Sequence, residues 1–180
     1  AHLRARLEVM HPAYFALAMA TGIVAIASHR MGLPEIATSL AWLNLAAYPT
    51  LWVLFITRSV MFPARVLADL GDHARAPGFF TMVAATGVVG TQSVLIHDSV
   101  LAGQVLWWAS VVLWAASTYT VFALLTVRDE KPSLAQGING GWLVAVVATQ
   151  SVCVLGCTLD GGMLGDRDAG LFVLMCFWLG

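Results

Sequence analysis

The few charged residues of this chain sit in short clusters, and the long stretches between them carry no charge. Residues 9–29, 36–57, 76–97, 99–127 and 132–159 contain no Asp, Glu, Lys or Arg. An α-helix rises ~1.5 Å per residue, so ~20 residues cross the ~30 Å hydrocarbon core of a bilayer. Each stretch is long enough to span. A β-barrel would alternate apolar and polar residues over ~10-residue segments, a pattern absent here.

Composition agrees. Of the 180 residues, 59% are hydrophobic and 11% charged, where soluble domains carry ~25% charge. That excludes a water-soluble globule and, equally, a disordered chain. The net charge of -1 gives no reason to expect nucleic acid as a partner. The first stretch is not read as a signal peptide, because four more follow and no convincing cleavage site ends it. The sequence predicts an all-α integral membrane protein whose first partner is the lipid bilayer. Residues 169–180 form a sixth apolar stretch too short to cross. We expect an unfinished helix there, and a chain that is a portion of a larger functional unit.

The basic residues set the expected orientation. Arg4, Arg6, Arg58, Arg65, Arg75, Arg128 and Lys131 fall on one side of an alternating topology, and only Arg30 and Arg167 on the other. Cytoplasmic loops carry such an excess, so the N-terminus is expected in the cytoplasm.

The chain also repeats itself. Residues 12–24 and 77–89 share Pro, Phe, Ala, Thr, Gly and Val in order at an offset of 65 positions. Residues 141–149 match 78–86 at Gly, Val, Ala and Thr. One period holds two spans, so each unit is a helical hairpin: 9–57, 76–127 and an incomplete 132–180, within a single transmembrane domain. Copies in the same orientation are related by an axis along the membrane normal, which predicts hairpins around a central pore. Trp42, Trp52, Trp107, Trp108, Trp114 and Trp178 lie in even segments and only Trp142 in an odd one. Bulky even helices suit lipid and its interfacial aromatic belt. The odd helices hold small and hydroxyl residues that permit close approach, so they are expected to line the axis.

From this layout the pore-lining candidates are Phe15, Thr21, Gly22, Phe80, Thr86, Gly87, Leu143, Thr149 and Gln150. Phe15, Phe80 and Leu143 fit an apolar collar that gates by excluding water, and fit ordinary packing equally. Gly22 and Gly87 suit either a locally loosened helix facing a solute or a helix–helix contact. Thr21, Thr86, Thr149 and Gln150 would offer weak dipolar contacts. His11, His29 and His97 are expected at interfaces rather than in a proton relay. No charged residue lies within a span, which counts against the usual proton-coupled carrier. Cys153 and Cys157 lack a His or carboxylate on their helix to complete a metal site and read as packing. In the long loop from Arg58 to Arg75, Pro63–Leu70 fits a short interfacial helix with Val66, Leu67 and Leu70 toward lipid, and equally a polar linker.

The Pro-x-aromatic-Phe and Ala-Thr-Gly-Ile-Val opening of the first span, the Ala-Pro-Gly-Phe-Phe start of the third, and the run from Asn139 through Gly-Trp-Leu to Gln150 resemble the tellurite-resistance/dicarboxylate transporter family. That family includes fungal malate and sulfite transporters and the plant slow anion channels. The resemblance runs from about Pro12 to the end of the chain. It implies ten helices as five hairpins around a pore, odd helices inside, often in homotrimers with one pore per subunit. It places the main gating phenylalanine on the ninth helix, outside this chain. It implies transport of small anions across the plasma (inner) membrane by a channel or exporter. The alternative it leaves open is a secondary carrier for C4-dicarboxylates or sulfite, with or without proton coupling. An enzyme embedded in the membrane would need ionisable or metal-binding clusters at depth, and the spans show none. No enzymatic activity, metal or cofactor is expected.

Overall fold

The computed structural model describes residues 2–127, 140–159 and 167–180. Every regular element among them is helical. The expected start of the third hairpin at 132, with Arg128, Lys131 and Asn139, lies outside the described residues. A short helix, α1 (His2–Val9), leads through a 3-10 turn (Pro12–Phe15) into α2 (Ala16–Arg30). There follow α3 (Pro34–Met61), α4 (Pro63–Leu70), a second 3-10 turn (Ala76–Phe79), α5 (Phe80–His97) and α6 (Val100–Val127). A third 3-10 turn (Gly140–Trp142) opens α7 (Leu143–Thr158), and α8 (Arg167–Leu179) comes last. The five spans long and apolar enough to cross a membrane are Pro12–Arg30, Pro34–Met61, Ala76–His97, Val100–Val127 and Gly140–Thr158. The protein is a multi-pass helical membrane protein.

Local chemistry sets the boundaries. Helix α2 stops where Gly32 adopts φ +75°. The Leu33 and Gly32 N–H groups then return to the Ser28 and His29 carbonyls at 2.9 and 3.2 Å, a glycine C-cap that satisfies the orphan helix carbonyls. Pro34 and Pro63 occupy the first turns of α3 and α4, where a missing N–H does no harm. The three 3-10 turns stand at equivalent places of the sequence repeat, so the repeat is present in the backbone as well as in side chains.

The odd spans form the inner row. Helix α5 packs against α2 on one flank and α7 on the other, with α3 and α6 behind. In the most apolar window of each span, 78% of α5 is buried, 33% of α2 and 39% of α7, against 17% for each of α3 and α6. Lipid tails are as apolar as leucine, so contact between such helices comes from close packing and hydrogen bonds rather than from the hydrophobic effect.

Two expectations change. Of the tryptophans on even helices, Trp42, Trp108 and Trp178 are exposed, as a lipid-facing belt requires. Trp107 and Trp114 turn inward: Trp107 Nε1 donates to the Val152 carbonyl at 3.1 Å and Trp114 Nε1 to Thr149 Oγ1 at 2.9 Å. An indole N–H at membrane depth has no water to bond and seeks a partner on the next helix. In α4, Leu67 is exposed, but Val66 and Leu70 pack into the core. The helix presents only one of its three expected apolar residues outward.

Candidate functional site

The inner faces of α2, α5 and α7 form a groove of about 290 Å³. Its walls are Ile23 and Ile26 from α2, Gly87, Val88 and Thr91 from α5, and Val147, Gln150, Ser151 and Val154 from α7. On each helix these residues recur at three- or four-residue spacing, one stripe per helix. The polar groups are modest. Thr91 Oγ1 donates to the Gly87 carbonyl at 3.0 Å and Ser151 Oγ to the Ala148 carbonyl at 2.7 Å. Gln150 Nε2 donates to the Phe177 carbonyl of α8 at 3.2 Å. Among the described residues, no ionisable side chain lines the groove.

Gly87 sets how closely α5 and α7 approach. A Cβ there would lie 2.7 Å from Ser151 Oγ and 2.9 Å from both Ser151 Cβ and its carbonyl oxygen. Gly22 plays the matching part between α2 and its neighbours: a Cβ would meet Val88 at 2.5 Å and Asn44 at 2.7 Å.

Of the nine sequence-derived candidates, the structure brings Gly87 and Gln150 to the groove. Gly22 is buried at its helix contact. Phe15 is fully buried on the α3 side, its ring 5.1 Å from Trp52 and within 6.4 Å of Tyr48 and Phe55. Phe80 is buried in the core between α5, α6 and α7, 6.5 Å from Phe122. Leu143, the third member of the suggested collar, is exposed, so these three side chains do not meet. Thr86 Oγ1 lies 2.7 Å from the Tyr48 hydroxyl and bonds the Met82 carbonyl, while Thr149 accepts from Trp114. Thr21 is half-buried and has no such partner among the described residues. Thr91 and Ser151 are among the hydroxyl residues that mark the odd helices in the sequence, whereas the apolar walls Ile23, Ile26, Val88, Val147 and Val154 are not singled out there. The three- and four-residue stripe was the signal for them.

A second polar feature lies at the end of the bundle that carries the N-terminus. Arg58, in the last turn of α3, is only 1% exposed. Its Nη2 donates to Asp69 Oδ2 at 2.6 Å and to the Glu8 carbonyl at 3.4 Å. Asp69 also receives Arg75, Nη2 to Oδ2 at 3.2 Å, with the Arg75 Nε 2.7 Å from Oδ1 as an ion pair, and Arg75 Nη2 donates to the Met10 carbonyl at 3.2 Å. One carboxylate thus ties α3, α4 and the entrance to α5. Beside it, Arg65 pairs with Glu8 at 3.0 Å on the surface. His11 Nδ1 accepts the Ala13 N–H at 3.1 Å. Burial, and next the Arg75 guanidinium, holds its pKa below the usual 6.5. Among the described residues no group of His, Cys, Asp and Glu suits a metal ion.

Comparison with known proteins bears directly on this architecture. The chain is 26% identical over 179 residues to the "Sulfite efflux pump SSU1" of Arthroderma otae, covering 93% of this chain and 47% of that protein. The same figures hold for the protein of that name from Trichophyton rubrum. It is 21% identical over 169 residues to the "Uncharacterized transporter MJ0762" of Methanocaldococcus jannaschii, covering 91% and 48%. The chain therefore spans about half the length of the curated relatives it matches. No solved structure gives a significant match. The model of the SLAC1 family, described as voltage-dependent anion channel, matches residues 9–180, every span and the whole repeat. With small-residue inner helices, bulky outer ones and a groove free of ionisable groups, the chain belongs to the SLAC1 voltage-dependent anion channel family.

Proposed function

We propose that the groove between α2, α5 and α7 is one wall of a pathway for small anions across the plasma membrane, with the N-terminus in the cytoplasm. The observation that carries this reading is the groove itself: an inner face of apolar side chains and hydroxyls with no carboxylate to repel an anion. Thr91 and Ser151 already bond their own helices, so each gives a passing anion a transient hydroxyl contact and no deep well. Conduction needs such weak contacts, because an ion held tightly does not leave. Gly87 and Gln150 belong to the same wall. The basic excess on the N-terminal side supports the orientation. The names of the fungal relatives favour sulfite as one substrate, leaving export of sulfite by a carrier as the second reading. Assembly as a homotrimer, one pathway per subunit, follows from the family layout.

The test is anion efflux from liposomes containing the protein. Val147, on the groove wall and 40% exposed, is replaced by Trp to fill the groove without disturbing a packed core. Val112→Trp, on the exposed face of α6, is the control. Chloride and sulfite efflux should fall at least tenfold in the first and stay unchanged in the second. Equal efflux in both, or selective efflux of cations, overturns the reading. Accumulation of sulfite against its gradient under an imposed pH difference selects the carrier.

A further inference from the structure

The ionic cluster at the N-terminal end of the bundle surrounds a cleft of about 180 Å³ lined by Glu8, Val9, Arg58, Arg65, Asp69 and Arg75. Its volume falls below the ~300–1,000 Å³ of drug-sized pockets and suits a small ion or a headgroup. Three guanidiniums face two carboxylates, so the cleft keeps an unbalanced positive charge. Arg58 holds that excess in its most costly place. It is almost wholly buried, yet its Nε and Nη1 have no hydrogen-bond partner. A buried charged donor left unbonded is costly, and native structures resolve such groups with a water or an ion. Asp69 receives Nη2 of both Arg58 and Arg75 at its Oδ2, which leaves Nε and Nη1 of Arg58 unbonded.

We propose that this cleft binds a phosphate group. Guanidinium forks match the oxygens of a tetrahedral oxyanion and hold it by two parallel N–H···O bonds. In the bound state Arg65 swings from Glu8 to the anion at the mouth, and Arg75 and Arg58 receive it from the inner wall. The phosphate comes either from solution or from the headgroup of an anionic lipid. For the lipid, the exposed apolar side chain of Val9 on the cleft wall gives its acyl chains a surface to lie on. This site is separate from the groove and does not depend on the groove conducting anions.

The experiment uses the full chain in uncharged detergent micelles, with thermal unfolding followed by tryptophan fluorescence. Potassium phosphate is titrated against potassium chloride at equal ionic strength. Phosphatidylglycerol is titrated against phosphatidylcholine, and retained lipid is counted by native mass spectrometry. Phosphate or phosphatidylglycerol should raise the midpoint by several degrees beyond its control. Arg65→Gln removes an exposed guanidinium (66% exposed) and should weaken the apparent Kd about tenfold, the loss of one charge-assisted contact. Glu8→Gln removes the competing carboxylate and should tighten it. Opposite shifts from neighbouring residues do not arise from general unfolding. Lipid retention that disappears in Arg65→Gln identifies the headgroup, and stabilisation by phosphate without lipid retention identifies the free ion. A midpoint no higher than the controls with both probes, or a Kd unmoved by both variants, overturns the proposal.

Discussion

Trp114 Nε1 on α6 donates to Thr149 Oγ1 on α7 at 2.9 Å, and 66 positions earlier the Tyr48 hydroxyl on α3 meets Thr86 Oγ1 on α5 at 2.7 Å. In both places an aromatic polar group on the outer helix of one hairpin reaches the repeated threonine on the inner helix of the next. Each threonine also donates to a carbonyl of its own helix, so its oxygen is left free to accept. The two bonds are copies of one latch between successive hairpins.

The latch predicts a measurable coupling. Trp114→Phe and Thr149→Val should each destabilise the protein by about 0.5–1.5 kcal/mol. The double mutant should fall short of their sum by about 0.6 kcal/mol, the usual coupling of a hydrogen bond between membrane helices. Tyr48→Phe with Thr86→Val should give a similar coupling. Unfolding by graded denaturing detergent in micelles measures both cycles, and strict additivity in both removes the latch.

Gly87→Ala should separate α5 from α7. The new methyl meets Ser151 at 2.7–2.9 Å, tighter than packed side chains tolerate, and overpacking of this kind costs about 1–3 kcal/mol. Ser151→Gly removes two of the three clashing atoms and should restore part of the loss in the double mutant. Thermal unfolding of the four proteins checks this; a Gly87→Ala midpoint equal to the wild type contradicts it.

Asp69→Asn should be the most damaging change at the N-terminal end. It leaves Arg58 charged, buried and without its counter-ion, and breaking a buried pair from one side costs about 3–5 kcal/mol. Arg65→Gln breaks only the exposed pair to Glu8 and should change stability by less than about 1 kcal/mol. Folded yield and unfolding midpoint distinguish the two. Near-equal midpoints would mean that Asp69 does not hold α3 to α4 in the way its geometry indicates.

His11 predicts an acid-side loss of stability. Its folded pKa lies below the ordinary 6.5, chiefly through burial and then through Arg75. Below pH 6.5 the unfolded chain takes up a proton that the folded chain resists. His11 therefore contributes full stability above that value, and the contribution is lost as pH falls toward the folded pKa. The neutral Nδ1 is also the acceptor that caps the Pro12–Phe15 turn. His11→Asn keeps an acceptor without a titrating proton and should flatten the unfolding midpoint between pH 7 and pH 5 relative to the wild type. Parallel curves for the two proteins contradict it.

The spans and the hairpin repeat were legible in the sequence because charge is excluded from hydrocarbon. A missing Asp or Arg is therefore as informative as a present one. Which side of each helix faces the groove was much less so. Helix α5 from Phe80 to His97 is apolar almost all round, and a helix with no polar face gives no direction. Phe15 and Phe80 therefore looked like equivalent candidates for an inner lining, while their rings pack against outer helices. Gly87 and Gln150 were found because the repeat fixed their level. Arg58 shows the other limit. By charge it ended a span, but α3 runs on to Met61, and Asp69 returns through α4 to meet it. Only the fold back of α4 turns a loop charge into a buried ion pair.

Each inner helix enters through a 3-10 turn, and the repeated threonine follows about nine residues after that turn begins. Four residues at ~2.0 Å and five at ~1.5 Å carry it ~16 Å along the axis, close to half of a ~30 Å hydrocarbon core. Thr21, Thr86 and Thr149 therefore share one depth, at mid-membrane. The hairpins are belted together at a waist by Tyr48 with Thr86 and Trp114 with Thr149, and Asp69 ties the first two a second time at the N-terminal end.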